Sequence, residues 1–255
     1  MNEVPLFSVE NKSVFITGAS RGIGKALAIG FAKAGAKVIC ASSKAGGTAQ
    51  TLAEIESFGG QAFAVHADLA NTEEVETMLG AILAEHKTID VLINNGGTIS
   101  RFPAAEYPLH EFKKVIDVNV NSAFLISQIL GKKMIEQGHG KIINIASMLS
   151  YSGGLTVPAY TASKHAIAGL TKALANEWAK LNVQVNAIAP GYFATDNTQA
   201  LRDNPERNQS IKNRIPAGKW GEAEQLVGAA IFLASPSSQY VNGHILAVDG
   251  GWLAS

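Results

Sequence analysis

The stretch TGASRGIG, residues 17–24, decides how this chain is read. It follows a short apolar run, SVFIT (13–17), and opens GKALAIGFAKAG (24–35), whose apolar spacing is helical. In a strand–turn–helix setting, Gly18, Gly22 and Gly24 permit a tight turn and a close backbone approach. The freed amides of the turn, which also holds Ser20, Arg21 and Ile23, and the helix N-terminus then suit a pyrophosphate. A glycine cluster by itself only punctuates a loop. Its neighbours give it meaning.

Those neighbours repeat the same alternation to the end of the chain. KVICA (37–41), AFAVH (62–66), DVLIN (90–94), KIINIA (141–146), VQVNAIA (183–189) and HILAV (244–248) read as strands. They are mostly continuous apolar runs, the pattern of parallel strands covered on both faces. Between them lie stretches with helical spacing, at 48–60, 72–86, 109–138 and 160–181, several ending at glycine. Alternating strand and helix implies right-handed crossovers, so the expected fold is α/β: a Rossmann-type doubly wound parallel sheet of about seven strands with helices on both faces. With no linker, repeat or low-complexity tract, residues 1–255 read as one domain. The polar, proline-punctuated segment 190–221 follows strand six, where ligands sit in such sheets, and is the candidate substrate lid.

Composition narrows the function. The 255 residues carry 21 Lys plus Arg against 21 Asp plus Glu, which argues against a nucleic-acid binder. The only cysteine, Cys40, lies in a strand-like run and reads as structural; six scattered histidines show no ligand spacing, so no metal is expected. The N-terminal residues MNEVPLFSVENK lack a signal pattern, and no apolar run approaches membrane-spanning length, so a cytoplasmic protein without membrane contact is expected.

The second strand speaks to the dinucleotide. Selection for NAD usually places an acid about 20 residues beyond the glycines, where it accepts from the ribose 2′-hydroxyl. Here no Asp or Glu occurs from Asn11 to Ala53, and the strand ends in Ser42, Ser43 and Lys44. A 2′-phosphate would meet no repulsion and could contact Arg21, Ser42, Ser43 or Lys44. NADP(H) is therefore favoured, with NAD(H) left open.

The remaining motifs are Asn-Asn-Gly-Gly (94–97), Asp-Val-Asn-Val (117–120), Ser147, YTASK (160–164), PGYFAT (190–195) and VDGG (248–251). With TGASRGIG, in this order and over essentially the whole chain, they resemble the short-chain dehydrogenase/reductase family. Reducing a ketone by hydride transfer builds negative charge on its oxygen, so a proton donor is needed there. Free tyrosine has a pKa near ~10, and a cation one helical turn away would lower it. Tyr160 and Lys164 have that spacing. The resemblance implies that Tyr160 is the acid/base and that Lys164 modulates it and holds the nicotinamide ribose. It implies that Ser147 binds the substrate carbonyl and that Asn119 positions the water and lysine of a proton relay. It further implies cofactor contacts at Asp68 and Leu69, at Asn95 and Gly97, and at Pro190, Gly191 and Thr195. Gly96 stands where the family usually has alanine, a change that loosens the backbone without removing a functional group.

From about Lys141 onward the chain resembles more narrowly the 2-dehydro-3-deoxy-D-gluconate 5-dehydrogenase / 2-deoxy-D-gluconate 3-dehydrogenase group, in KIINIASMLSYSGG, ANEWAK, RIPAGKWG and VDGGWLAS. The implied substrate is a keto sugar acid, whose carboxylate needs a cation and whose hydroxyls need polar donors. Arg101 matches an arginine of that group and is the candidate carboxylate anchor, with Met148, Tyr192, Asn197 and Trp220 as weaker pocket candidates. Trp178 and Trp252 read as packing or subunit-contact residues. Members of the group often use NAD(H), against the reading of the second strand. The family also implies a homotetramer built on the helices near 109–136 and 158–181 and the C-terminal VDGGWLAS. Two other functions compete. A 3-oxoacyl-carrier-protein reductase, or another keto-sugar or keto-uronate reductase, shares the machinery, and Arg202, Arg207, Lys212, Arg214 and Lys219 would dock an acidic carrier. A catalytically silent dinucleotide sensor is more remote, because the tyrosine and lysine are both present.

Overall fold

The computed structural model describes residues 6–255, except the side chain of Asn197. Among these, seven parallel strands form one sheet: β1 (Ser13–Ile16), β2 (Lys37–Ser42), β3 (Gln61–His66), β4 (Val91–Asn94), β5 (Gly140–Ile145), β6 (Val183–Pro190) and β7 (Ile245–Val248). Their order is β3-β2-β1-β4-β5-β6-β7. The chain builds outward from β1 to β3, then returns to β4 on β1's other side. This puts the topological switch point between β1 and β4, where a crevice opens beyond the strand ends.

Most of the apolar runs are covered on both faces; β3, at the sheet edge, is not, and none of its residues is buried. Every residue of β4 and β6 is buried. On one face lie α1 (Gly22–Lys33) and α9 (Val227–Ala234), whose Leu27, Phe31 and Leu233 pack with Val14, Ile16 and Val38. The opposite face carries α3 (Thr72–Glu85), α5 (Ser122–Glu136) and α6 (Pro158–Trp178), whose Leu79, Ile82, Leu130 and Leu174 pack on Phe15, Leu92 and Val185. α2 (Ala49–Ser57) lies beside β3. Helix starts follow local chemistry. The Asn71 carboxamide oxygen accepts from the Glu73 and Glu74 amides at 3.1 and 3.3 Å, and those two acids complement the positive end of α3.

The stretch 109–138, read as helical throughout, is interrupted. α4 (Leu109–Ile116) passes through a π turn, Asp117–Asn121, before α5 begins. Polar side chains bond within that turn: Ser122 Oγ donates to the Val118 carbonyl at 2.6 Å, and Asn121 to Asp117 at 2.8 Å. Hydrophobic spacing does not register such an insertion, because apolar residues continue on both sides.

The segment after β6 leaves and returns at one point. Phe193 bridges Gly221, with the Gly221 amide donating to the Tyr192 carbonyl at 2.9 Å and the Ala194 amide to the Gly221 carbonyl at 2.8 Å. The excursion between them carries α7 (Gln199–Arg202) and α8 (Pro205–Arg214). Pro205 opens α8, and Asn204 caps it by accepting from the Arg207 amide at 3.0 Å. Its one fully buried side chain, Ile211, clusters with Met148, Ile215, Trp220 and Trp252. Among the described residues, no helix is long and apolar enough to cross a membrane.

Candidate active site

At the carboxyl ends of the strands a cavity of about 1120 Å³ runs across the sheet. Single ligand pockets span roughly 300–1,000 Å³, so this one has room for a dinucleotide and a small second molecule.

One half is built from backbone. Thr17, which ends the first strand run, accepts the amides of Asn95 and Gly96 on its hydroxyl oxygen at 3.0 and 2.8 Å. The Asn95 carboxamide donates in turn to the carbonyls of Thr17 and Gly18 at 2.9 and 3.1 Å. The turns after β1 and β4 are thus laced together. Gly18 sits at φ +67°, and a methyl there would lie 2.9 Å from the Gly96 Cα. A methyl on Gly24 would overlap the Gly18 carbonyl oxygen. The glycines leave a cradle at the start of α1 that side chains would fill, which fits a pyrophosphate. Ser20, Arg21, Gly22 and Ile23 line the cavity beside it.

At the end of β2, Ser42, Ser43 and Lys44 also line the cavity. The Ser42 hydroxyl donates to the Lys44 carbonyl at 2.8 Å and so shapes the turn. Asp68 and Leu69 enter from the end of β3; the Asp68 carboxylate accepts the Ala70 amide at 2.9 Å. Among the lining residues the only other carboxylate is Asp196, 3.8 Å from Arg21. Gly96 proves more than a loosened alanine. A methyl there would lie 2.5 Å from Leu69 Cδ1, so Leu69 occupies the space that an alanine would need.

The other half is built from side chains. Ser147 follows β5, and its hydroxyl accepts the Leu149 amide at 3.1 Å. Tyr160, in the first turn of α6, is hydrogen-bonded to Ser147. Lys164, buried one turn further on, donates to the Ile145 carbonyl at 2.6 Å, and its nitrogen lies 5.4 Å from the centre of the Tyr160 ring. The serine, the phenol and the ammonium therefore face one point of the cavity.

The electrostatics differ from the simple expectation. Burial pushes the Tyr160 phenol above its ordinary pKa; the Ser147 hydrogen bond and the Arg101 charge pull back only part of that rise. Burial also lowers Lys164 to about 8. Lys164 donates to a carbonyl while lying behind the phenol ring, and the Arg101 charge also acts on the phenol. Tyr160 is therefore a protonated donor at neutral pH.

Asn119 stands apart from the cavity lining. Its carboxamide oxygen accepts the Thr98 amide at 2.8 Å, and its nitrogen donates to the Thr98 carbonyl and the Ser163 hydroxyl, both at 3.0 Å. Ser163 donates to the Tyr160 carbonyl at 2.7 Å. Through these bonds Asn119, to which the sequence reading gives a relay role, joins the β4 loop to α6.

The remaining candidates divide. Arg101, Met148, Tyr192, Gly97, Gly191 and Thr195 line the cavity with Asn95. Pro190 is buried as the last residue of β6 and does not. Asn197 belongs to the turn Asp196–Thr198, with its side chain outside the described ones. Trp220 backs the wall: its ring meets Tyr192 edge-on at 5.2 Å and its indole N–H donates to Asn208 at 2.8 Å. Trp252 moves the other way. It lines the cavity, stacked edge-on to Tyr192 at 4.8 Å, with the Arg214 guanidinium 4.0 Å over its ring. Trp178, read as a packing residue, fills the space over Gly131. Sequence reading missed Lys114 and Thr156 as lining residues. Neither belongs to a motif, although Thr156 sits at φ 62°, a strained position for a β-branched residue.

Comparisons with known proteins converge. A family model described as short chain dehydrogenase matches residues 12–206. The 2-dehydro-3-deoxy-D-gluconate 5-dehydrogenase of Bacillus subtilis (strain 168) is 49% identical over 248 residues, 97% of each chain. A solved chain from Beutenbergia cavernae, provisionally named an NAD(P) dependent gluconate 5-dehydrogenase and holding NADP at low occupancy, is 48% identical. It superposes with a TM-score of 0.96 over 98% of this chain and 100% of its own. One from Agrobacterium tumefaciens, provisionally a 2-deoxy-D-gluconate 3-dehydrogenase with bound NADP, is 45% identical, with a TM-score of 0.90 over 99% and 100%.

Proposed function

This chain belongs to the short-chain dehydrogenase family, and from that premise we propose that it interconverts a ketone and a secondary alcohol on a sugar acid, with NADP(H), in the manner of a 2-dehydro-3-deoxy-D-gluconate 5-dehydrogenase. The observation that carries the reading is the Ser147–Tyr160–Lys164 constellation at one point of a dinucleotide-sized cavity, with Arg101 on the same wall.

The dinucleotide supplies or receives the hydride when bound. The residues of the chain handle the rest. The Tyr160 Oη gives its proton to the developing alkoxide in reduction and takes it back in oxidation. The Ser147 hydroxyl donates to the same oxygen as its charge grows, an interaction stronger in the transition state than in the ground state. Lys164 holds a positive charge behind the phenol. Arg101 pairs with the substrate carboxylate, which positions the carbonyl and partly neutralises the cation that eases phenol ionisation. A buried, protonated phenol suits the reductive direction at neutral pH.

The preference for NADP(H) rests on Ser43 and Lys44 at the end of β2, where the chain carries no Asp or Glu from Asn11 to Ala53, and on Arg21 at the start of α1, whose guanidinium lies 3.8 Å from Asp196. Residues 1–255 act as one catalytic domain, with the excursion 190–221 as its lid. The exposed Leu109, Phe124 and Leu253 lie on the helices and C-terminal segment that a homotetramer would bury. A cytoplasmic location agrees with the lack of a membrane-crossing helix among the described residues.

The test is an initial-rate assay on keto-deoxy sugar acids, run with NADPH and with NADH. Turnover with a preference for NADPH is expected. Turnover confined to acyl thioesters would replace the substrate reading, and a preference for NADH would overturn the reading of Ser43 and Lys44.

A further inference from the structure

The chain as a whole balances its charges, but its cavity does not. Seven cationic side chains line it against two carboxylates, Asp68 and Asp196. Both carboxylates stand on the cofactor half, Asp196 beside Arg21. The substrate half holds Arg101, Lys114, Arg207 and Arg214 with no acid among its lining residues. One carboxylate on a sugar acid uses one of these cations well. Four cations are more than a single carboxylate needs.

Their placement is two-sided. Arg101 and Lys114 enter after β4, whereas Arg207 and Arg214 enter after β6. The strand between these two is β5, and Ser147 stands just beyond its end. A carbonyl seated at Ser147 and Tyr160 shares the cavity with both pairs, and α8 reaches its neighbourhood through Ile211, which clusters with Met148 next to Ser147. The lid pair is presented by design of the helix: Arg207, Ser210, Ile211 and Arg214 have the spacing of one helical face and all line the cavity. Ile211 is buried in the cluster of Met148, Trp220 and Trp252, and the Trp220 indole is tied to Asn208, so the helix has an apolar anchor. Arg214 lies 4.0 Å over the Trp252 ring, a contact that orders a guanidinium while leaving its donors to bind. Among the described residues no carboxylate lies within ion-pair distance of either lid arginine.

We propose that Arg207 and Arg214 form a second anion subsite, so that the pocket takes acyclic sugar acids carrying an acidic group at both ends. This rests on the oxidoreductase reading above for the position of the reacting carbonyl, and it adds a substrate class to that reading. The monoacid uses Arg101 alone; the diacid also engages the lid, which draws α8 over the site.

The experiment compares D-gluconate with D-glucarate, the same carbon chain with one or two carboxylates, by calorimetric titration into the NADP⁺-loaded enzyme at low salt. Glucarate is expected to bind at least about tenfold more tightly than gluconate, the gain of one well-placed charge-assisted contact. That ratio should fall towards one in Arg214→Gln and in Arg207→Gln, and largely return in Arg214→Lys, which keeps the charge. Equal binding of the two acids by the wild type overturns the proposal, as does a ratio unchanged in both glutamine variants. Weakening of both acids by the same factor in Arg214→Gln points to lid packing and also overturns it. The underlying reading fails separately, by absent turnover of keto-deoxy sugar acids while the binding ratio persists.

Discussion

The two halves of the cavity are made of different material. Around β1 and β4 the walls are backbone: Gly18 and Gly24 approach other backbone so closely that a methyl has no room, and Asn95 and Thr17 tie the two turns together. Beyond β5 and β6 the walls are side chains: a phenol, an ammonium, arginines and the rings of Tyr192 and Trp252 in edge contact, backed by Trp220. A backbone wall suits a ligand that never changes, because amides and helix ends recognise phosphate whatever the neighbouring side chains. A side-chain wall can be respecified by substitution, which is what a family with one cofactor chemistry and many substrates requires.

From that contrast it follows that changes in the two halves should fail differently. The largest effect belongs to the acid/base group. Tyr160→Phe should lower kcat by roughly 10²–10⁴-fold with NADPH affinity kept, as read by single-turnover rates and fluorescence titration. Gly24→Ala should do the reverse kind of damage. Its methyl meets a carbonyl that cannot move aside, so cofactor affinity should fall by at least about tenfold, and the thermal midpoint should drop with it. Arg101→Gln should raise KM for the sugar acid by about tenfold and lower kcat less, since it removes one charged contact. A smaller effect is expected at the seam between the halves. In Gly96→Ala the obstructing atom is the end of the Leu69 side chain, 2.5 Å away and able to rotate. KM for NADPH should rise only a few-fold, and adding Leu69→Ala should relieve it.

The pH dependence sharpens the side-chain half. Burial raises the Tyr160 phenol and lowers Lys164 to about 8. Below pH 8 both carry their protons, the state that donates to an alkoxide, so ketone reduction should be flat there and decline as pH rises past about 8. Alcohol oxidation needs the deprotonated phenol and should climb over the same range. Progress curves in both directions between pH 6 and 10 would show these opposite slopes; a reduction rate that rises above pH 8 would contradict the assignment of Lys164.

The backbone half was legible in the sequence because its physics is local. A strand, three spaced glycines and a helix read directly, and the alternating apolar runs gave strand positions within about a residue of those seen. The side-chain half was legible only where motif spacing is itself geometry, as in Tyr160 and Lys164 one turn apart. Residues brought in by long-range packing were not. Trp252 lines the cavity because the C-terminal turn folds back beside α8, Trp220 turns away because Asn208 claims its N–H, and Lys114 arrives on a helix without a motif. Asn119 was found by its motif, but its bonds to Thr98 and Ser163 come from the π turn that apolar periodicity does not reveal. The direction of the Tyr160 shift was missed for a related reason: four-residue spacing places a cation nearby but says nothing about burial or the Ile145 carbonyl.

The most direct test of the central claim, that the Tyr160 phenol moves the proton at a Ser147-held carbonyl, is the comparison of wild type, Tyr160→Phe and Ser147→Ala in single-turnover reduction of a keto-deoxy sugar acid by bound NADPH. Both variants are expected to bind NADPH as the wild type does and to transfer hydride at least about a hundredfold more slowly. Hydride transfer at a near wild-type rate in Tyr160→Phe would contradict it.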